Sequence, residues 1–185
     1  GWSNQWEEPL AKHAAAAGFA VGGWDCRRFA DTRSFDQAKL VEAFNAAVQS
    51  VRNKAGLPAD CPVWYAGWST GAEWSIAAGA SSDRDKHLVG ILAAAPGGRS
   101  RYGITAEDLL GIVPQGPGSY ALADLAPELK GLCVVQFAAG LDPLDDADWL
   151  KTLGPETPHK LIEIPEVPHD MGGAGTRFLT EFDMA

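Results

Sequence analysis

Residues 62–71 read PVWYAGWSTG, and this stretch decides how the chain is organised. Its apolar opening, PVWYAGW, predicts a strand, and the alanine-rich run GAEWSIAAGA (71–80) predicts a helix directly after it. Ser69 therefore lies at a strand-to-helix turn, between Gly67 and Gly71 in the pattern G-x-S-x-G. Such a turn holds its central residue in a strained backbone conformation, and we expect larger side chains at either flanking position to clash.

Outside this stretch, apolar strand-like runs alternate with helical patterns along the chain. We predict strands over 19–25, 62–68, 87–96, 131–140 and 159–166. We predict helices from Asn4 to Gly18, from a capping box at Ser34 and Gln37 to Gly56, over 71–80, over 145–154, and from Thr176 onward. Strands that are apolar throughout and alternate with helices indicate a mostly parallel sheet with helices on both faces.

The length of 185 residues is that of about one domain, and we predict a single domain over residues 1–185. The segment at about 97–130 breaks the alternation because it is rich in glycine and proline. We predict an irregular insertion there, with brief helical hints at TAEDLLG and LADLAPELK. An insertion of this kind after a sheet strand often belongs to the binding face; the alternative is a surface excursion without a role.

The composition argues against several classes of protein. The chain is 46% hydrophobic and 21% charged, as is ordinary for a globular protein, and its net charge is −9. A nucleic-acid partner would require a basic patch, so we expect none. No stretch approaches the roughly 20 apolar residues of a membrane span. The chain opens at Gly1 without a methionine, and we expect the intact protein to have residues before it.

We also expect no disulfide, metal or cofactor. The three cysteines, Cys26, Cys61 and Cys133, lack C-x-x-C spacing, and Cys133 lies in an apolar run that predicts a buried thiol. No H-E-x-x-H pattern, Walker loop or G-x-G-x-x-G after a strand is present. The pattern gives surface or strand-edge positions to three histidines, His13, His87 and His159.

Two further polar residues follow the predicted strands that come later in the chain. Asp142 lies two residues after the strand at 131–140, and His169 lies in the loop VPHDMGG after the strand at 159–166. Because the carboxyl ends of parallel strands meet at one edge of a sheet, we expect both residues near Ser69. This order, serine then acid then histidine, is that of a nucleophile, its orienting acid and its base.

The identity of the acid has an alternative. Asp145 stands close to Asp142 in the chain and is the second candidate. Asp145 and Asp146 also precede the short helix through Trp149, where a pair of aspartates commonly caps the helix.

A serine nucleophile also needs donors for the oxyanion that forms on its substrate. The N–H after the serine, that of Thr70, is the first expected donor. The second normally comes from a loop after an earlier strand, and in this chain the candidate is Trp2. We expect the strand that precedes this loop to be missing from the chain.

The order of these residues resembles that of the α/β-hydrolase superfamily, and within it the VirJ/AcvB type of bacterial virulence domain. The similar parts are the opening GW, WDCRRF at 24–29, the serine turn GWSTGA, ILAAAPGG, LADLAPELKGLCVVQF and the closing histidine loop. The resemblance spans nearly the whole chain. It implies a three-layer hydrolase fold, a periplasmic or secreted location, and hydrolysis of aminoacylated phosphatidylglycerol at a membrane surface.

By position, the resemblance implies that Ser69 is the nucleophile, His169 the base and Asp142 the acid. Arg28 would match an arginine after the second strand and contact a phosphate or carboxylate, with a surface ion pair as the alternative. Trp68, where the family usually has tyrosine, would contact the substrate.

These observations predict a serine esterase that acts on a small-molecule or lipid ester. The alternative is a domain without catalytic activity that keeps this scaffold to bind a lipid or a protein. A third candidate is dienelactone or thioester cleavage, because a fold does not determine its substrate. Dienelactone hydrolases generally use cysteine as nucleophile, whereas this chain has Ser69.

Overall fold

The computed structural model describes residues 7–26, 29–30, 36–174 and 179–180, and six strands and four α-helices have their full bounds within them; residues 29–30 and 179–180 are helical as well. The strands are β1 (Val63–Trp68), β2 (Leu88–Ala94), β3 (Arg99–Arg101), β4 (Ser119–Ala121), β5 (Cys133–Ala139) and β6 (His159–Ile164). The α-helices are α1 (Glu7–Ala16), α2 (Gln37–Ala55), α3 (Thr70–Gly79) and α4 (Leu122–Leu125). Short 3₁₀ turns cover Asp108–Leu110, Ala126–Leu129 and Asp148–Thr152.

The main sheet has the strand order β1-β2-β5-β6, and every neighbouring pair in it is parallel. Trp68 pairs with Ala94, and Ala94 pairs with Phe137. The strands therefore end in register, and the loops after β1, β5 and β6 leave the sheet at one edge. This is the edge at which open parallel sheets bind ligands.

Alternate residues of the central strands supply two apolar layers, as expected for strands buried on both faces. Ile91, Ala93 and Val134 belong to the cluster that includes Leu40 of α2 and the buried apolar residues of α3. Ala94, Val135 and Phe137 belong to the opposite cluster, together with Leu10 of α1. Helices therefore cover both faces, which confirms the predicted three-layer α/β architecture.

The N-cap of the helix before β1 lies two residues after the predicted cap, Ser34. Asp36 is the N-cap, and its side chain accepts a hydrogen bond from the N–H of Ala38 at 2.9 Å. Gln37 was expected to take part in a capping box with Ser34, which lies outside the described residues. Gln37 instead donates to the carbonyl of Ala77 in α3 at 2.9 Å, because tertiary contact offers it an acceptor there.

The predicted strand at 19–25 is wrong, since the structure shows no strand within residues 19–26. Phe19 and Val21 are 55% and 41% exposed, so the apolar pattern does not correspond to burial. Gly22 packs against α2 so closely that an added Cβ would lie 2.0 Å from the Val51 side chain. Two consecutive glycines disfavour a strand, and contact with a helix replaces pairing with the edge of the sheet.

The insertion at 97–130 contains a few short regular elements between its loops. β3 and β4 pair antiparallel, with Ser100 opposite Tyr120. A buried ion pair of 3.2 Å between Arg101 and Asp108 ties this hairpin to the first 3₁₀ turn. The stretch LADLAPELK forms α4 and a 3₁₀ turn, and TAEDLLG contains the 3₁₀ turn at Asp108–Leu110, which agrees with the two helical hints.

Both ends of the chain are described only in part. α1 ends near Gly18, whose φ of 94° suits glycine, whereas the expected cap Asn4 lies outside the described residues. Leu179 and Thr180 are helical, and the rest of the closing helix predicted from Thr176 lies outside them. The single domain over 1–185 stays a prediction.

The three cysteines carry free thiols, and all three are partly exposed, including Cys133, which was expected to be buried. Burial nevertheless raises the pKa of the Cys26 and Cys133 thiols. None of the helices in the described part of the chain has the length and apolar character needed to cross a membrane.

Candidate active site

The turn between β1 and α3 holds Ser69 in an unusual backbone conformation, with φ 52° and ψ −128°. The Ser69 N–H donates to the carbonyl of Ala94 at 2.8 Å, and the Ser69 carbonyl accepts from Ala72 and Glu73. These bonds tie the serine to β2 on one side and to α3 on the other. A strained residue that is held from both sides is typical of a functional turn.

The two flanking glycines differ in what they permit. A Cβ on Gly67 would lie 2.2 Å from the backbone carbon and oxygen of Gly71, so only glycine fits there. A Cβ on Gly71 would meet no atom within 4 Å. The expected steric requirement therefore holds at Gly67 and is wrong at Gly71, because the tight approach falls on one side of the turn only.

The structure brings Ser69, His169 and Asp142 into one hydrogen-bonded chain. The Ser69 Oγ lies 2.8 Å from the His169 Nε2, and the His169 Nδ1 lies 2.5 Å from the Asp142 Oδ2. With Nδ1–H donated to the carboxylate, Nε2 is free to accept the hydroxyl proton of the serine. The Asp142 side chain is 1% exposed and that of His169 is 35% exposed, so the base is open to solvent while its partner is not.

Backbone contacts position the loop that carries Asp142. The second carboxylate oxygen of Asp142 accepts the N–H of Leu144 at 2.9 Å. The N–H of Leu141 donates to the carbonyl of Val167 at 3.0 Å, which joins this loop to the one that carries His169. Both side chains are therefore held by loops that are bonded to each other.

Asp145, the second candidate for the acid, faces the interior instead. Its carboxylate accepts the N–H of Ala139 at 2.7 Å and the side-chain N–H of Gln136 at 2.8 Å. Burial raises the pKa of Asp145 to about 6. Neither aspartate of the pair is the N-cap of the 3₁₀ turn at Asp148–Thr152, which is Ala147; Asp146, one residue before it, accepts the N–H of Asp148 at 2.8 Å.

Gln136, a fully buried residue of β5, organises the interior side of this loop. Its side chain donates to Asp145 and, at 3.2 Å, to the carbonyl of Asp146, and it accepts the indole N–H of Trp149 at 2.8 Å. Sequence reasoning missed Gln136. The available signal was a polar residue in the middle of the apolar run CVVQFAA.

Trp68, expected to contact substrate, contacts the histidine loop. Its indole N–H donates to the backbone carbonyl of His169 at 2.6 Å, and the two ring centroids lie 5.2 Å apart. This hydrogen bond was not predicted from the sequence. A role of Trp68 in binding substrate stays a prediction.

The expected oxyanion donors are only partly described. Thr70 is the first residue of α3, so its N–H belongs to the group that has no acceptor within the helix. Trp2, the expected second donor, and Arg28, the expected anion contact, both lie outside the described residues. Their roles stay predictions.

A buried carboxyl group near Ser69 was also missed. Glu73 lies one helical turn after the serine, and its side chain accepts the N–H of Gly97 at 2.9 Å. Burial raises the pKa of Glu73 to about 7. The signal in the sequence was a single charge in the otherwise uncharged helix GAEWSIAAGA.

Within the described ranges, no group of three or more histidine, cysteine, aspartate or glutamate side chains is arranged to hold a metal ion. His87 precedes β2 and His159 begins β6, so both lie at the opposite end of the sheet from Ser69. The predicted edge positions of these two histidines agree with their place in the fold.

No family model matches the chain, and no curated protein sequence matches it significantly. Many solved structures are similar in fold. A dienelactone hydrolase from Anabaena variabilis has a TM-score of 0.60 at 17% identity, over 98% of this chain and 78% of that one. An α-β serine hydrolase homologue from Coxiella burnetii has a TM-score of 0.59 at 16% identity, over 100% and 78% of the two chains.

The third, the α/β hydrolase GrgF from a Penicillium species, has a TM-score of 0.55 at 13% identity, over 80% of this chain and 71% of that one. The narrower likeness to the VirJ/AcvB type stays a prediction. At such low sequence identity, the three structures support a conclusion about the fold alone. The fold of this chain is that of the α/β hydrolases.

Proposed function

We propose that the chain is a serine hydrolase that cleaves an ester, with Ser69 as nucleophile, His169 as base and Asp142 as the acid that orients the base. The observation that carries this proposal is that His169 is hydrogen-bonded on both sides, to the Ser69 Oγ at 2.8 Å and to the Asp142 carboxylate at 2.5 Å. These three residues lie at the carboxyl edge of a parallel sheet, where the serine is held in a strained turn. Nucleophile, base and orienting group in hydrogen-bond contact are the arrangement that acyl transfer requires.

The proposed reaction has two steps. In the first, the Ser69 Oγ bonds to the ester carbonyl carbon while its proton passes to the His169 Nε2. The carbon–oxygen bond to the alcohol then breaks, and the same proton leaves with the alcohol. In the second step, water attacks the acyl-enzyme through the same base, which releases the acid and restores the serine hydroxyl.

Asp142 suits the role of orienting group because it is buried and held. One oxygen accepts the Leu144 N–H and the other accepts from His169, so the carboxylate cannot turn away from the ring. The positive charge that His169 acquires in the reaction forms next to this carboxylate. In a buried site such a charge pair is worth more than in water.

The start of α3 supports stabilisation of the oxyanion. Thr70 follows the nucleophile, and unpaired N–H groups at a helix N-terminus carry partial positive charge. We assign the first donor to the Thr70 N–H, and the second to Trp2 in the opening segment. Replacing Trp2 with proline, which has no N–H, tests the second assignment and is expected to reduce kcat about a hundredfold.

Exposed apolar side chains beside the acid loop support an ester with an apolar part. Leu141 and Leu144 flank Asp142 and are exposed, as are residues of the facing insertion turn, Leu110, Ile112 and Val113. The two segments are adjacent, since a Cβ on Gly111 would lie 3.8 Å from the Leu144 side chain. The net charge of −9 suits a neutral or cationic substrate.

A narrower form of the proposal is hydrolysis of an aminoacylated lipid at a membrane surface in the periplasm, which follows from the VirJ/AcvB resemblance. Vesicles that contain lysyl-phosphatidylglycerol provide the test, with release of free lysine as the readout. Release by the unaltered protein and none by Ser69→Ala supports the narrower substrate. Hydrolysis of short esters without release of lysine excludes it and leaves the general proposal intact.

A fluorophosphonate probe tests the general proposal, because it reacts only with an activated serine. We expect it to label the unaltered protein and the control variant Ser82→Ala, whose serine is exposed and follows the end of α3 opposite to Ser69, but not Ser69→Ala. We expect the same pattern for hydrolysis of p-nitrophenyl acetate. Equal labelling of Ser69→Ala and no turnover of the ester would favour the non-catalytic binding domain instead.

A further inference from the structure

The loop that follows β2 lies between the parts of the proposed active site. Its backbone begins at Ala94, whose carbonyl accepts the Ser69 N–H at 2.8 Å. Two residues later, the carbonyl of Pro96 accepts the N–H of Asp146 at 3.0 Å, in the loop that carries Asp142. This loop, residues 95–98, is therefore bonded to the acid loop and directly follows the strand residue that is bonded to the nucleophile.

Ala95 in this loop has a φ of 48°, which lies in the left-handed region that alanine rarely adopts. Its N–H donates to the carbonyl of Phe137 at 2.9 Å, and the carbonyl of Gly98 accepts the N–H of Leu122 at 3.0 Å. A strained backbone persists only where its surroundings hold it. The path of this loop therefore depends on the groups that bind it.

Glu73 supplies the side chain that binds this loop from the nucleophile helix. Its carboxylate accepts the Gly97 N–H at 2.9 Å and a hydrogen bond from the side chain of Ser100. The side chain is nearly fully buried, and its backbone N–H donates to the carbonyl of Ser69. One residue thus connects the turn of the serine, through its helix, to the loop after β2.

We propose that Glu73 is a positioning residue, which fixes the loop at 95–98 between the nucleophile helix and the acid loop and so sets the alignment of Ser69 with His169 and Asp142. This rests on the proposed hydrolase function of the same site. Glu73 is buried and touches no substrate in this role, so it acts through the residues that it holds. The mechanism described above does not use it.

The charge of Glu73 strengthens this link. Burial raises the pKa of Glu73 to about 7, while the hydrogen bonds from Ser100 and Gly97 and the charge of His169 favour the ionised form. Asp108 acts in the opposite direction, and Tyr120 also faces the carboxyl group. A hydrogen bond to an ionised carboxylate is roughly twice as strong as one to a neutral group. The hydrogen bond that holds the loop is therefore stronger when Glu73 is ionised, although burying that charge lowers the stability of the whole fold.

The first test compares Glu73→Gln with the unaltered protein, since glutamine keeps an acceptor for the Gly97 N–H and removes the charge. Glu42→Gln, at an exposed position of α2, is the matched control. For p-nitrophenyl acetate between about pH 5 and pH 9, we expect Glu73→Gln to lower kcat about tenfold with little change in KM. We also expect the rise of kcat with pH to depend on one ionisation in Glu73→Gln. In the unaltered protein and in the control, the same rise should depend on two ionisations. A profile of unchanged shape and height would overturn the proposal.

The second test needs no catalysis. In the Ser69→Ala background, the amide proton of Gly97 reports by NMR on its hydrogen bond to Glu73. We expect its chemical shift to titrate with a midpoint at about 7, the pKa of Glu73, and to lose this titration when Glu73→Gln is added. A Gly97 amide that does not titrate would refute the charged link, whatever the probe experiment shows for Ser69. If instead Ser69→Ala keeps full hydrolysis, the hydrolase proposal fails and the NMR result still decides whether the link exists.

Discussion

The indole N–H of Trp68 donates to the backbone carbonyl of His169 at 2.6 Å, so the residue before the nucleophile holds the loop of the base. Trp68→Phe removes this hydrogen bond and keeps an aromatic ring against His169. A hydrogen bond of this kind contributes about 1 kcal/mol, and we expect kcat to fall about five- to tenfold. Steady-state kinetics check this. A rise in KM with kcat unchanged would show instead that Trp68 binds substrate, as the sequence suggested.

The two glycines beside Ser69 provide a matched pair of alanine variants. Gly67→Ala forces a Cβ to within 2.2 Å of the backbone of Gly71, and we expect a loss of about 3 kcal/mol in stability. Gly71→Ala adds a methyl group to open space and should change stability by less than about 1 kcal/mol. Thermal unfolding of both variants compares them directly. Equal melting temperatures would mean that the backbone of the turn moves enough to make room for a Cβ at position 67.

Two aspartates three positions apart are expected to respond differently to the same change. Asp142→Asn leaves His169 without its carboxylate partner, and we expect kcat to fall by about a thousandfold or more. Asp145→Asn keeps one acceptor for the Ala139 N–H and should lower kcat by about tenfold or less. Turnover of p-nitrophenyl acetate at saturating substrate measures both. A larger loss for Asp145→Asn would reverse the assignment of the acid.

Glu73 also predicts a dependence of stability on pH. Its pKa is raised from 4.5 to about 7 on folding, so the folded state binds more protons than the unfolded state in that interval. Stability is therefore lost as the pH rises from about 4.5 to about 7. Glu73→Gln removes this loss, and we expect the variant to gain on the order of 3 kcal/mol relative to the unaltered protein at about pH 8.

Urea unfolding at about pH 5 and about pH 8 tests this dependence, with Glu42→Gln as control. The gain should be small at the lower pH, where Glu73 is already protonated in both states. A difference between the two proteins that stays constant with pH would contradict the expected ionisation of Glu73.

The sequence was informative about the site wherever position along a strand determines position in space. Ser69, Asp142 and His169 could be predicted together because each lies within a few residues of the end of a strand, and parallel strands end at one edge. The choice between Asp142 and Asp145 was left open, since it depends on the path of a short loop. Asp142 and Asp145 point in different directions because each binds a different backbone N–H, that of Leu144 and that of Ala139 respectively. These N–H groups take their positions only when the loop is folded.

Other features were unpredictable because side-chain partners come from distant parts of the chain. Gln136 and Trp149 form their hydrogen bond inside the core, and Glu73 finds the Gly97 N–H in a different loop. At 19–25 the sequence predicted an element that the structure does not contain. The apolar residues of this segment indicated a strand, yet the close packing of Gly22 on α2 determines its path.

The hydrogen bond between Ser69 and His169 joins residues that lie 100 positions apart in the chain. β6 must already be paired on the sheet before His169 reaches the serine, because its loop follows that strand. Contacts between such distant residues form late and slowly in folding. A chain that ends before β6 would therefore have a complete serine turn but no reactive nucleophile. During refolding, the time at which fluorophosphonate labelling appears would show when β6 has joined the sheet.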